Sequence, residues 1–251
     1  MSNSKRLNGK VAVVTGASKG IGAGIAKAFG AEGASVVVNY ASDKAGAEKA
    51  VAEIVKAGGK AIAVQGSVSK EADVQRLFAE TTKAFGKVDV LVNNAGVYKF
   101  QPIAEVTEAE YRRQYDTNVW GVLLTTREAL KNFNDGGAVI NVSSTVTRLA
   151  IPGSSTYSGT KGAVDVITQV LAAELGARKI RVNAVNPGLV ESEGTHAEGI
   201  VGSDFQSHVE STTPLGRIGQ PDDIAKVAVF LASDESGWLT GEQLFAAGGA
   251  R

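Results

Sequence analysis

Short apolar runs alternate along this chain with longer segments of mixed polarity. Val11-Ala12-Val13-Val14-Thr15 is apolar and β-branched, which predicts a buried strand. Further strands are predicted at 35–39, 61–65, 89–92, 138–142, 180–185 and 242–246. Helices are predicted at 23–31, 44–57, 71–85, 108–132, 155–178 and 221–232. Strand and helix alternate throughout. That order predicts one α/β domain spanning 1–251, a parallel sheet covered by helices on both faces. Segment 191–213 departs from the pattern. It is polar, contains glycines and both histidines, His196 and His208, and follows a strand end. It is expected to form a mobile lid over a pocket.

Composition narrows the function classes. The 251 residues are 43% apolar and 21% charged, as in an ordinary globular protein with a substantial core. Lys and Arg number 26 and are balanced by 26 Asp and Glu, so no broad attraction to nucleic acid or an anionic membrane is expected. There is no cysteine, which excludes disulfides, thiolate catalysis and Cys-ligated zinc. A reducing, cytoplasmic setting is compatible with this. Residues 1–10 lack the apolar stretch of a signal peptide. No apolar run reaches the ~18 residues of a membrane span.

Two constellations carry chemistry. The first is Gly16-Ala17-Ser18-Lys19-Gly20-Ile21-Gly22, between a predicted strand and a predicted helix. In that setting backbone N–H groups at the helix start face an anion, and missing side chains let a diphosphate approach. A tight turn that needs glycines is the alternative. The second is Tyr157 and Lys161, four residues apart on a predicted helix, hence about 5–6 Å apart at Cβ on one face. A nearby ammonium lowers a phenol's pKa, so the pair is a candidate general acid/base, with an ordinary surface pair as the alternative. His196 and His208 have no further ligand cluster at metal spacing, so no metal site is expected. Trp120 and Trp238 are expected to be packing residues.

Thr15-Gly16, Gly20-Ile21-Gly22, Asn93-Asn94-Ala95-Gly96, Asn118, Ser144, Tyr157 with Lys161, and Pro187-Gly188 stand in an order and spacing that resembles the short-chain dehydrogenase/reductase family. The resemblance runs from Gly9 to Gly249. It is nearest to the bacterial group of 3-oxoacyl-carrier-protein reductases, glucose 1-dehydrogenase-like enzymes and carbonyl reductases. It implies a single Rossmann domain with a doubly wound parallel seven-stranded sheet, hydride transfer between NAD(P)(H) and an alcohol/carbonyl pair, and a homotetramer with 108–132 and 155–178 pairing between subunits. It also implies site roles. Tyr157 would be the proton donor. Lys161 would lower its pKa and hold the nicotinamide ribose. Ser144 would hydrogen-bond the substrate oxygen, with Ser143 as the competing choice. Asn118 would anchor a water chain to Lys161. Asn94, Ala95 and Gly96 would pass beside the adenosine ribose. Pro187 and Gly188 would pack on the nicotinamide, with Val190 and Ser192 near its carboxamide. Ser67 and Val68 stand where the family carries an acidic residue toward the adenine.

The strand after the glycine loop ends Val38-Asn39-Tyr40-Ala41-Ser42. An NAD-preferring site commonly has a carboxylate there. Its absence, with Lys19 in the loop, predicts NADP(H) preference with NAD(H) tolerated, and Asn39, Tyr40 and Ser42 as cofactor neighbours. Between Glu191 and Pro214 there is no Lys or Arg, against Glu191, Glu193, Glu198, Asp204 and Glu210. An acidic lid would repel an acidic acyl carrier. Residues 147–152 offer more apolar than polar surface, which argues against a sugar. Small uncharged aldehydes or ketones, aryl ketones included, are the expected substrates. The rivals are a 3-oxoacyl-carrier-protein reductase, a glucose 1-dehydrogenase, and a dinucleotide-sensing module without catalysis.

Overall fold

A computed structural model describes residues 5–197 and 199–250. Glu198, one of the acidic lid residues, lies outside the described residues, as do 1–4 and 251. Seven strands form one sheet: β1 (Val11–Val14), β2 (Ser35–Tyr40), β3 (Lys60–Gln65), β4 (Val88–Asn93), β5 (Phe133–Val142), β6 (Arg181–Pro187) and β7 (Gln243–Ala246). Their order is β3-β2-β1-β4-β5-β6-β7, and every pairing is parallel. The apolar runs are continuous because both faces are buried. Ala12, Val14, Val36, Val38, Val90 and Val92 face one side, and Val13, Val37 and Leu91 the other.

The first face is covered by α1 (Gly20–Ala31), α2 (Lys44–Lys56) and α9 (Pro221–Ala232), through Ile25, Phe29, Ile54 and Ile224. The second is covered by α3 (Glu71–Phe85), α5 (Gly121–Ala129) and α6 (Ser155–Leu175), through Leu77, Phe78, Leu124 and Leu175. Full burial of such a side chain contributes about 1.5–3 kcal/mol each. Helix ends are set locally. Asp43 caps α2 by accepting the Gly46 N–H, and Gln220 with Asp223 forms a capping box before Pro221 on α9.

The expected helix 108–132 is interrupted. It comprises α4 (Glu108–Tyr115), a π turn (Asp116–Trp120), then α5 and a 3₁₀ turn (Leu130–Asn132). The lid segment contains α7 (Glu193–Ala197) and α8 (Asp204–Thr212). The sheet order reverses between β1 and β4, so the carboxyl ends of these strands border an open crevice, where α/β sheets bind ligands. Both tryptophans depart from expectation: Trp238 is 97% exposed and Trp120 is also exposed. No helix among the described residues is long and apolar enough to cross a membrane.

Candidate active site

The turn from β1 into α1 is shaped by glycine. Gly16 has φ +60°, and a Cβ there would stand 2.8 Å from the Ala95 Cα. Only glycine takes both the left-handed backbone and that approach without strain. The loop is held by Thr15 and Asn94. Thr15 Oγ1 accepts the N–H groups of Asn94 (3.0 Å) and Ala95 (3.1 Å), while Asn94 Nδ2 donates to the carbonyls of Thr15 and Gly16. Asn39, buried at the end of β2, accepts the Gly16 N–H at 3.3 Å and donates to the Gly66 carbonyl at 3.0 Å.

These contacts frame a cleft of about 450 Å³. Every sequence-predicted cofactor residue from Gly16 to Gly96 lines it except Tyr40. Tyr40 does not line the cleft; its ring belongs to the buried core on the face that α1 and α2 cover. Strand alternation explains this: Asn39 and Tyr40 face opposite ways. Ser67 gives its N–H to Asp73 at 2.9 Å and shares a hydroxyl contact of 2.9 Å with Ser69.

Ile21, Asn94, Gly96 and Ser192 also line a second, adjoining cavity of about 760 Å³. Pro187, Gly188 and Val190 border it from the end of β6. Ser144, Tyr157 and Lys161 come together there, from the end of β5 and the first turns of α6. The remaining wall is largely apolar: Tyr98 and Phe100 after β4, Leu149 and Ile151 before α6, and Ile200, Phe205 and Val209 from the lid. The rings of Tyr98 and Phe100 lie 5.8 Å and 6.0 Å from that of Tyr157.

Tyr157 is half-buried, and desolvation of its phenol pushes its pKa up to about 12, with the hydrogen-bonded Ser144 hydroxyl opposing the shift. The expected lowering by Lys161 does not dominate. The Lys161 Nζ is 5.7 Å from the ring centre and donates to the Val142 carbonyl at 2.8 Å. Burial in turn pushes Lys161 down to about 8, and the Asp165 carboxylate opposes it. Ser143 is occupied elsewhere: it is buried and its hydroxyl donates to the Lys161 carbonyl at 3.3 Å. Asn118, placed by the π turn, accepts the Val97 N–H and donates to the Val97 carbonyl, both at 2.8 Å, and donates to Thr160 at 3.0 Å. It clamps the loop after β4 onto α6. Asn186 extends the scaffold, donating to the buried Asp165 carboxylate and to the Ser144 carbonyl at 3.3 Å.

This geometry has close relatives. The family model described as "Enoyl-(Acyl carrier protein) reductase" matches residues 16–251. An uncharacterised oxidoreductase of Methylorubrum extorquens is 58% identical over 98% of this chain and 99% of its own length. This chain is a short-chain dehydrogenase/reductase. Versicolorin reductase 1 of Aspergillus parasiticus is 40% identical to it, over 100% of this chain and 99% of its own. A Burkholderia cenocepacia short-chain dehydrogenase solved in complex with NADP superposes with a TM-score of 0.92, at 33% identity, covering 98% of this chain and 99% of that one.

As a member of this family, the dehydrogenase/reductase is an NAD(P)-dependent oxidoreductase. The residues present fit the dinucleotide. The glycine loop opens α1 with no side-chain cap and no acid in its first turn, and the Gly20 N–H already holds an anionic oxygen, Glu193 Oε2 at 2.9 Å. The nicotinamide, when bound, supplies or accepts hydride. Sequence reasoning missed Tyr98 and Phe100, although two aromatic residues beside Asn93-Asn94-Ala95-Gly96 were a usable signal. It also missed Phe205, which only the folded lid brings to the cavity. Among the described residues no three His, Asp or Glu side chains converge as a metal would require. His196 instead lies 2.9 Å from Glu191.

Proposed function

We propose that this enzyme reduces uncharged ketones and aldehydes with NADPH, aryl ketones ahead of carrier-bound acyl chains or sugars. The observation that carries the reading is a phenol, Tyr157, paired with the Ser144 hydroxyl in an apolar, aromatic-walled cavity. In reduction, Tyr157 Oη gives its proton to the carbonyl oxygen. Ser144 Oγ donates to that same oxygen, so two donors meet the charge that develops there. Lys161 holds its ammonium beneath the phenol and toward the nicotinamide ribose. Asn118 holds the loop after β4 and α6 together around them, and its link to Lys161 through water belongs to the same reading. Pro187, Gly188, Val190 and Ser192 border the nicotinamide.

Substrate preference follows from the wall. Tyr98, Phe100 and Phe205 offer rings and no charge, and favourable ring–ring contacts add about 0.5–1.5 kcal/mol each. Arg148, exposed beside this cavity, stacks its guanidinium over Phe245 at 3.7 Å. The Aspergillus parasiticus relative is named a versicolorin reductase, for versicolorin rather than for a carrier protein or a sugar. A panel of aryl ketones, acetoacetyl-carrier protein and glucose, followed by NADPH consumption or formation, tests this. Aryl ketones should give the highest kcat/KM; a tenfold advantage for the carrier protein or glucose would overturn the substrate class.

NADP(H) preference rests on the end of β2. Asp43, the nearest carboxylate, is committed to the Gly46 N–H at 3.0 Å as the cap of α2. Lys19 is exposed beside it in the same cleft, where an ammonium meets a ribose 2′-phosphate. Lys19→Ala should therefore raise the Kd for NADPH several-fold more than that for NADH, in a fluorescence titration. Equal losses would remove Lys19 from the role.

The reading extends to a cytoplasmic homotetramer. Tyr111, Trp120 and Leu123 on the 108–132 stretch, and Val166 and Val170 on α6, are exposed apolar side chains on helices expected to pair between subunits. Light scattering at micromolar concentration should give four times the chain mass.

A further inference from the structure

The glycine loop and the lid are tied together by one contact between residues far apart in sequence. Gly20 is the first residue of α1, with φ +55°, and its N–H points outward from the helix start. That N–H is accepted by Glu193 Oε2 at 2.9 Å. Glu193 opens α7 in the lid. The approach is close all round: a Cβ on Gly20 would stand 3.1 Å from the Ser192 Cβ.

This contact supplies what α1 lacks. Lys19, the residue before the helix, makes no side-chain cap bond, and the first turn carries no acid. The first N–H groups of a helix need an acceptor, and its positive end favours an anion. Glu193 provides both from the lid. A dinucleotide diphosphate needs the same donors at the same helix end. A carboxylate and a phosphate oxygen cannot both occupy the Gly20 N–H, and two anions side by side repel.

We propose that Glu193 is an internal competitor for the cofactor diphosphate, so that dinucleotide binding displaces it and unties the lid from the glycine loop. The proposal rests on the family's use of NAD(P)(H) and goes beyond it. It has a consequence for the substrate side. Ser192, Thr195, Ile200, Phe205 and Val209 belong to the same lid and line the substrate cavity. The residue that cofactor displaces is therefore joined through a few residues of chain to the wall that carbonyl substrates meet. Glu191 does not share the role: its carboxylate is held by His196 at 2.9 Å and Gln220 at 2.8 Å, away from the loop.

Binding measurements test this without turnover. The probes are NADPH, ADP-ribose and inorganic pyrophosphate, titrated by fluorescence or calorimetry. Glu193→Ala should bind all three about two- to five-fold more tightly, the effect of one exposed charge at a helix end. Glu193→Gln should fall between, because it keeps an acceptor but loses the charge. Glu191→Ala, which removes an equal charge nearby, should leave the three affinities unchanged. Melting supplies the second arm. Glu193→Ala should lower the Tm of the cofactor-free protein and leave the Tm at saturating NADPH unaltered, because the contact it removes exists only in the free form. Unchanged or weaker binding by Glu193→Ala, or equal Tm losses with and without cofactor, would overturn the proposal alone. An equal gain from Glu191→Ala would reduce the effect to general lid charge and overturn it too. Failure of the wild-type protein to bind any probe would overturn the cofactor assignment and the proposal with it.

Discussion

Tyr157→Phe should lower turnover by at least the ~10²–10⁴-fold of a lost general acid, while the Kd for NADPH stays close to that of the parent. The substitution keeps the ring, and with it the contacts to Tyr98 and Phe100 at 5.8 Å and 6.0 Å. It removes one oxygen and its proton. Burial pushes that phenol up to about 12, so Tyr157 carries its proton at neutral pH. It is ready to donate, and poorly disposed to accept. Reduction of the preferred ketone should therefore be the faster direction at neutral pH, and alcohol oxidation should accelerate as pH rises. Stopped-flow measurement of NADPH oxidation in a single turnover separates the chemical step from binding. Retention of more than a tenth of parental turnover would remove Tyr157 from the role.

Lys161→Ala should damage two steps at once, because Lys161 is assigned two roles. Turnover should fall about 10²-fold or more, and cofactor affinity should fall with it. The ammonium is buried, and its pKa is pushed down to about 8 by that burial. The sign follows directly. Below about 8 the side chain is charged; as pH rises through about 8 the charge is lost. The kcat/KM for NADPH, which reports groups of the free enzyme, should decline along an alkaline limb centred there. Lys161→Ala should abolish that limb as well as lowering the rate. A limb that persists in the variant belongs to another group. Because Asn118 and Val142 contact this region through side-chain and backbone hydrogen bonds, circular dichroism and Tm on the variant distinguish loss of charge from loss of fold.

Much of the architecture was legible because it is written in local pattern. A run such as 11–15, short, apolar and β-branched, suits a strand buried on both faces, and the sheet bears that reading out at β1, Val11–Val14. The glycine loop was legible for a steric reason, since Gly16 and Gly20 take positive φ. Helical spacing put Tyr157 and Lys161 on one face, the family resemblance added Ser144, and all three line one cavity. What sequence could not display was direction and environment. Tyr40 sits next to Asn39 in the chain, yet the pleat turns its ring into the core. Trp238 reads as a packing residue from its size, and is nearly all exposed. The relation of Lys161 to Tyr157 was inferred from charge alone, whereas desolvation governs both groups in the folded protein. Glu193 counted only as one negative charge among several until the fold brought it to Gly20.

The π turn Asp116–Trp120 also limits how this protein can vary. Such a turn holds one residue more than an α-helix needs, and often lies at a functional site. Here the surplus lets Asn118 point inward while Trp120 remains exposed five residues from Tyr115. Substituting an outward residue leaves that geometry alone. Deleting one residue between Tyr115 and Gly121 would restore an uninterrupted α-helix with α4 and α5 still in register, because the turn had absorbed the surplus, and would remove the widened turn that presents Asn118. Asn118 would be drawn off Val97 and Thr160 while the α5 face bearing Leu124 kept its place in the core. Over this stretch, then, the chain can exchange letters on its outer surface, but its length is fixed, even though it looks from outside like an ordinary surface helix where a gap would pass unnoticed.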